Sequence, residues 1–198
     1  MIKQSTSLRF YALVGGIIAA AFFAVAVPTH VHADTTSTAQ IGLSMADDAA
    51  LSISDVPNID FGTQQISAQA KDVDAETISA PITVTNPGFE NGWTLTVAAS
   101  DFSNSDQTRT IKGAQMTFDQ TQVSAAEQTN VSLAPTSTRA TITAGGDAQP
   151  IMTAAKNSGI GTYNAQYQAT EVHIHVPAGN VEATYSADLN WSMTNSVQ

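Results

Sequence analysis

The chain has 198 residues, no cysteine, seven basic against seventeen acidic side chains and a formal net charge of −10. The missing cysteine excludes a disulfide framework, a cysteine nucleophile and a lipoprotein-type thiol anchor. The acidic balance argues against nucleic acid, anionic lipid and simple ionic adhesion to a polyanionic wall polymer.

Lys3 and Arg9 precede an almost uninterrupted apolar run from Phe10 to Val27, followed by Pro28 and the tripeptide Val31-His32-Ala33. A basic start, an apolar core and a small-residue site form the pattern of a secretory signal peptide, expected to be cut after Ala33. The run is also nearly long enough to span a bilayer, so an uncleaved membrane anchor is the competing reading. Cleavage leaves 165 residues with five basic and seventeen acidic groups, a net charge of −12. That length suits one domain with a sizeable core, and no membrane insertion is expected after cleavage. With neither an apolar C-terminal tail nor a sorting signal expected, any attachment to a cell surface is expected to be noncovalent. An exported domain without disulfides is common in Gram-positive bacteria and points to a bacterial source.

Residues 34–49 are expected to hold a flexible leader and a first strand, and residues 50–198 the main domain. In that domain apolar residues recur at every second position, the period of strands. The clearest candidates are Pro81–Thr85, Trp93–Val97, Arg139–Thr143, Glu171–Val176 and Ala183–Met193. Turn-forming residues bound them: Asn86-Pro87-Gly88, Asn91-Gly92, Gly145-Gly146-Asp147, Asn157-Ser158-Gly159 and Pro177-Ala178-Gly179-Asn180. Ala68–Glu76 is polar and acidic and reads as a loop, and Gln120–Asn130 as a loop or a short helical turn. No amphipathic helix is available to bridge parallel strands, so the expected fold is all-β, an antiparallel β-sandwich or barrel-like domain after a signal peptide.

Residues two apart in a strand share a face. Trp93, Leu95 and Val97 therefore stand together, as do Leu189, Trp191 and Met193. Packing against a facing sheet is the ordinary fate of such a face. The functional alternative is a partly exposed aromatic surface on which a sugar ring or a partner protein lies, suited to the mixed character of indole.

Two segments, Gly92-Trp93-Thr94-Leu95-Thr96-Val97 and Tyr185-Ser186-Ala187-Asp188-Leu189-Asn190-Trp191-Ser192-Met193-Thr194, carry a family likeness. With Lys112-Gly113-Ala114, Thr143-Ala144-Gly145-Gly146, Ile151–Ala155, Gly159–Tyr163 and Val176-Pro177-Ala178-Gly179 in order between them, residues 50–198 resemble the WxL-domain proteins of low-GC Gram-positive bacteria. Met193 stands where the family has leucine, a volume-conserving change. The resemblance implies a secreted surface protein held noncovalently on the cell wall, with peptidoglycan or another wall polymer and wall-associated surface proteins as partners. Its motif residues are Trp93, Leu95, Trp191 and Met193, with Tyr185 and Leu189 beside the distal pair.

His173 and His175 share one strand face, opposite Val172, Ile174 and Val176. A zinc site needs further ligands that the sequence does not place nearby, so a solvated face able to titrate near pH 6 is expected, and no metal. The acids Asp47, Asp48, Asp55 and Asp60, and then Asp72, Asp74 and Glu76, lack the spacing and glycine of a calcium loop. No nucleophile motif or phosphate loop occurs, and a carboxylate pair for glycan cleavage has no motif behind it. The expectation is a binding protein without cofactor, not an enzyme. The alternatives are a subunit or adhesin that binds a protein partner rather than the wall, and a wall glycan hydrolase.

Overall fold

The computed structural model describes residues 37–195. The expected signal peptide, with residues 34–36 and 196–198, lies outside the described residues. The chain divides into a unit ending at Gly42 and one beginning at Leu43. Residues 37–42 carry no regular secondary structure, and the fold described below is that of the second unit.

In chain order its strands are β1 (Ser52–Asp55), β2 (Ile59–Asp60), β3 (Lys71–Asp74), β4 (Thr77–Ile78), β5 (Ile82–Asn86), β6 (Trp93–Ala99) and β7 (Gln115–Phe118). There follow β8 (Val123–Ala125), β9 (Thr136–Ser137), β10 (Ala140–Thr143), β11 (Gln149–Ala154), β12 (Gly161–Ala165), β13 (Val172–Val176) and β14 (Leu189–Asn195). A single 3-10 turn, Ala169–Glu171, precedes β13, and no α-helix occurs among the described residues. The strands form three four-stranded sheets, ordered β1-β5-β12-β8, β10-β7-β13-β3 and β14-β6-β11-β9, with β2-β4 as a separate pair. Every pairing between these strands is antiparallel. The architecture is all-β and sandwich-like, and it is not a closed barrel.

The alternation of the sequence becomes the core. Trp93, Leu95, Val97 and Ala99 of β6 are buried while Thr94, Thr96 and Ala98 are partly exposed. Ile82 and Val84 of β5, Met116 and Phe118 of β7, Ile142 of β10 and Tyr163 of β12 join the same buried cluster, so residues from all three large sheets bury one another. Asn86 ends β5 by closing its own turn: its side-chain oxygen accepts from the backbone N–H of Phe89 at 2.7 Å and of Gly88 at 3.1 Å.

Four expected strands are present with ends shifted by a few residues, as β5, β6, β10 and β13. The fifth, Ala183–Met193, is corrected. Its strand starts at Leu189, and Ser186 instead exchanges backbone hydrogen bonds with Ser103, both 2.9 Å. Ala68–Glu76 is also corrected, because it contains β3. That strand pairs only with β13 and buries only Val73, so its polar, acidic look is that of a charged sheet edge rather than a loop. Within Gln120–Asn130 the short β8 appears.

Candidate functional site

The two Trp-x-Leu-like segments meet as neighbours. Strands β6 and β14 pair along seven residues, with Leu189 opposite Ala99, Trp191 opposite Val97 and Met193 opposite Leu95. Cross-strand partners share a sheet face, so both segments point inward. Their burial nevertheless differs, because β6 lies inside its sheet whereas β14 is the edge. Trp93 and Leu95 are wholly buried, while Leu189, Trp191 and Met193 are half-buried.

The surroundings of Trp93 account for its motif. Its indole N–H donates to the carbonyl of Gly159 at 3.0 Å, satisfying the one polar group the side chain carries into the core. Gly92, at φ +76°, lets the chain enter β6 hard against β11, where a Cβ would collide with the carbonyl oxygen of Ala154.

Beside Trp191 the sandwich stands open. A groove of about 1040 Å³ runs between the β14 edge and the sheet that ends in β3. Met116, Ile174 and Val176 lie along it on the β7–β13 side. Residues 56–67 form one wall, and residues 180–188, held down at Ser186 and where the Asp188 N–H donates to Ser100 Oγ at 2.9 Å, form another. Four half-buried aromatic rings line it: Phe61, Phe102, Tyr185 and Trp191. Trp191 is steadied from within by an edge-to-face contact with Phe118, centroids 6.0 Å apart at 79°. The hydroxyl of Tyr185 donates to the carbonyl of Val181 at 2.8 Å, which fixes that ring in its loop.

The expected site residues thus separate. Trp191, Leu189 and Tyr185 line the groove, Trp93 and Leu95 lie in the core, and Met193 sits half-buried outside the groove. Phe61 and Phe102 were not anticipated. Each is an isolated aromatic in a polar stretch, Asn58-Ile59-Asp60-Phe61-Gly62 and Ser100-Asp101-Phe102-Ser103-Asn104, and that isolation was the available signal.

A family model described as WxL domain, surface cell wall-binding, matches residues 33–196. The chain belongs to the WxL family. No curated protein matches it, and neither does any solved structure. The family is one of surface domains that bind the cell wall. Among the described residues, no helix is long and apolar enough to cross a membrane.

The outer face of the β13 sheet in this WxL domain carries a second polar constellation. In register, His173 stands opposite Asp74 and His175 opposite Asp72. His173 Nδ1 lies 2.8 Å from Asp74 Oδ1 and its Nε2 lies 2.9 Å from Asp119 Oδ2, while His175 Nδ1 lies 2.6 Å from Asp72 Oδ1. Arg139 Nε adds an ion-pair contact to the other oxygen of Asp119 at 3.1 Å. The expected solvated face is therefore corrected at His173, whose side chain is only one-quarter exposed and is bracketed by two carboxylates. The hydrogen bond with Asp119, and then that with Asp74, raises the His173 pKa above its ordinary value of 6.5 against a smaller opposing effect of burial. Both ring nitrogens of His173 are engaged with carboxylates, which leaves neither free for a metal in this arrangement.

Proposed function

We propose that this WxL domain is exported, released from its signal peptide after Ala33, and held noncovalently on the wall by ligand bound in the groove beside Trp191. Peptidoglycan is the proposed ligand, wall-associated surface proteins are proposed to assemble on the attached domain, and no catalytic step is involved. One observation carries the reading. Of the two motif tryptophans, Trp93 is spent on the core, whereas Trp191 lines an open groove with three further aromatic rings. An amphipathic ring held rigidly at a concave surface is a ready anchor for a ligand. The family's wall-binding character supports wall material as that ligand.

Incubating the purified protein with pelleted cell walls tests the proposal against its alternatives. Co-sedimentation with bare walls is the expected result. Protein that stays in the supernatant until surface proteins are added back would favour a protein partner, and release of soluble sugar fragments would favour a hydrolase. N-terminal sequencing of the surface-associated form is expected to begin at Asp34, and Met1 on a membrane-bound product would overturn export with cleavage.

A further inference from the structure

Resting on the reading that the groove holds the wall ligand, we infer that what it recognises is the glycan strand, a run of uncharged N-acetylated hexosamine rings, and not a peptide stem or an anionic polymer. Three features of the groove converge on that class.

The first is the form of its apolar surface. A hexosamine ring has C–H-rich faces that lie flat on aromatic rings and an equatorial belt of hydroxyl and amide groups that needs hydrogen bonds. Phe61, Phe102, Tyr185 and Trp191 supply ring surfaces on different walls of one groove, while Val176 and Pro177, both half-buried, offer an apolar patch for N-acetyl methyl groups. Around them the wall carries side chains that both donate and accept, among them Asn58, Gln65 and Asn180. Neutral amides of this kind match hydroxyl and acetamido groups without requiring charge.

The second is charge. Asp60, Glu182 and Asp188 line the groove against one cation, Lys71, whose ammonium donates to Gln64 Oε1 at 2.7 Å. Phosphate along a polyanionic chain, or the free carboxylates of stem peptides, would meet like charge here. A cationic group would be tolerated by the acids, but the apolar patch would strip its water without replacing it.

The third is size. At about 1040 Å³ the groove lies just above the roughly 300–1,000 Å³ spanned by small-ligand pockets. It is open to solvent, so a polymer can enter and leave along it and more than one sugar ring can be seated.

The test uses a soluble tetramer of N-acetylglucosamine and a synthetic stem peptide as probes, each competing with purified peptidoglycan for the protein. Intrinsic fluorescence is read in parallel, with Trp191→Phe, which keeps an aromatic ring on Phe118, as the variant. The tetramer is expected to displace the protein from peptidoglycan, the stem peptide is not, and Trp191→Phe is expected to weaken both tetramer and peptidoglycan binding by about tenfold. Since Trp93 is buried, a spectral change on adding tetramer is expected to disappear in that variant. Weaker peptidoglycan binding in Trp191→Phe with no tetramer competition would overturn the glycan assignment and leave the groove as the wall site, and competition by the stem peptide alone would overturn the glycan assignment as well. Unchanged peptidoglycan binding in Trp191→Phe with neither probe competing would overturn the groove reading itself. A circular dichroism spectrum matching the wild type accompanies each measurement, so loss of fold is not mistaken for loss of site.

Discussion

The indole N–H of Trp93 donates to the carbonyl of Gly159 across 3.0 Å, tying the first motif strand to a turn 66 residues further along the chain. Gly159 sits at φ +64°, and a Cβ there would lie 2.6 Å from Ala154 Cβ and 2.8 Å from the indole nitrogen. The turn thus needs glycine both for its backbone and for the closeness of the tryptophan. Gly159→Ala is expected to destabilise the domain by more than about 1 kcal/mol, and a thermal or chemical denaturation midpoint equal to wild type would contradict the packing described.

Trp93→Phe removes the same hydrogen bond and leaves a small void in a fully buried site, so a loss of about 1–3 kcal/mol in stability is expected. Wall affinity of the folded fraction should be unchanged, since Trp93 does not line the groove. Trp191→Phe should reverse that pattern, with a smaller drop in midpoint and a clear loss of affinity. Denaturation curves and wall-sedimentation isotherms on both variants check the division of labour. Equal effects of the two substitutions on binding would undo it.

The core was legible because period-two burial is written in residue type: β5, β6, β10 and β13 all lie within residues of their expected ends. Strand β3 was not, because an edge strand buries one residue and charges the rest, which in sequence cannot be told from a loop. The motif tryptophans could be paired by spacing but not told apart, since both stand at inward positions. Only sheet order places β6 inside and β14 at the edge. The groove was illegible for a related reason: Phe61, Phe102 and Trp191 come from segments far apart in the chain and converge through topology. The same holds for His173, whose partners Asp74 and Asp119 lie 99 and 54 residues away.

Retention on the wall is expected to survive high salt. Residues 34–198 carry a formal charge of −12, and the groove is lined by three carboxylates against one ammonium. Attraction must therefore come from short-range ring and hydrogen-bond contacts. Raising ionic strength from about 0.1 M to about 1 M shortens the screening length from about 10 Å to about 3 Å and weakens repulsion from an anionic wall. Sedimentation should hold steady or improve across that range. Elution by salt alone would mean that the attachment is ionic.

The pH dependence of stability follows from His173. Its folded pKa is raised above 6.5, chiefly by the hydrogen bond with Asp119 and then by that with Asp74. A raised folded pKa stabilises the native state fully below the unfolded value and loses that contribution as pH climbs through the folded value. The relevant window therefore opens near pH 6.5 and extends upward. Arg139, which contacts Asp119, and the pair His175 and Asp72 one step along the same two strands share this face. When protonated, His173 pairs with Asp74 across the β3–β13 seam on the outer face, while Val73 of the same strand lines the groove on the inner one. Deprotonation should thus loosen the edge strand and the groove wall together. The thermal midpoint is expected to fall as pH rises above about 6.5 in the wild type, and to fall less in His173→Gln, which cannot titrate. Wall affinity should decline over the same interval in the wild type and remain flatter in the variant. A wild-type midpoint that rose with pH, or a His173→Gln profile that superimposed on the wild type, would show that the bracketed imidazolium does not hold the strand.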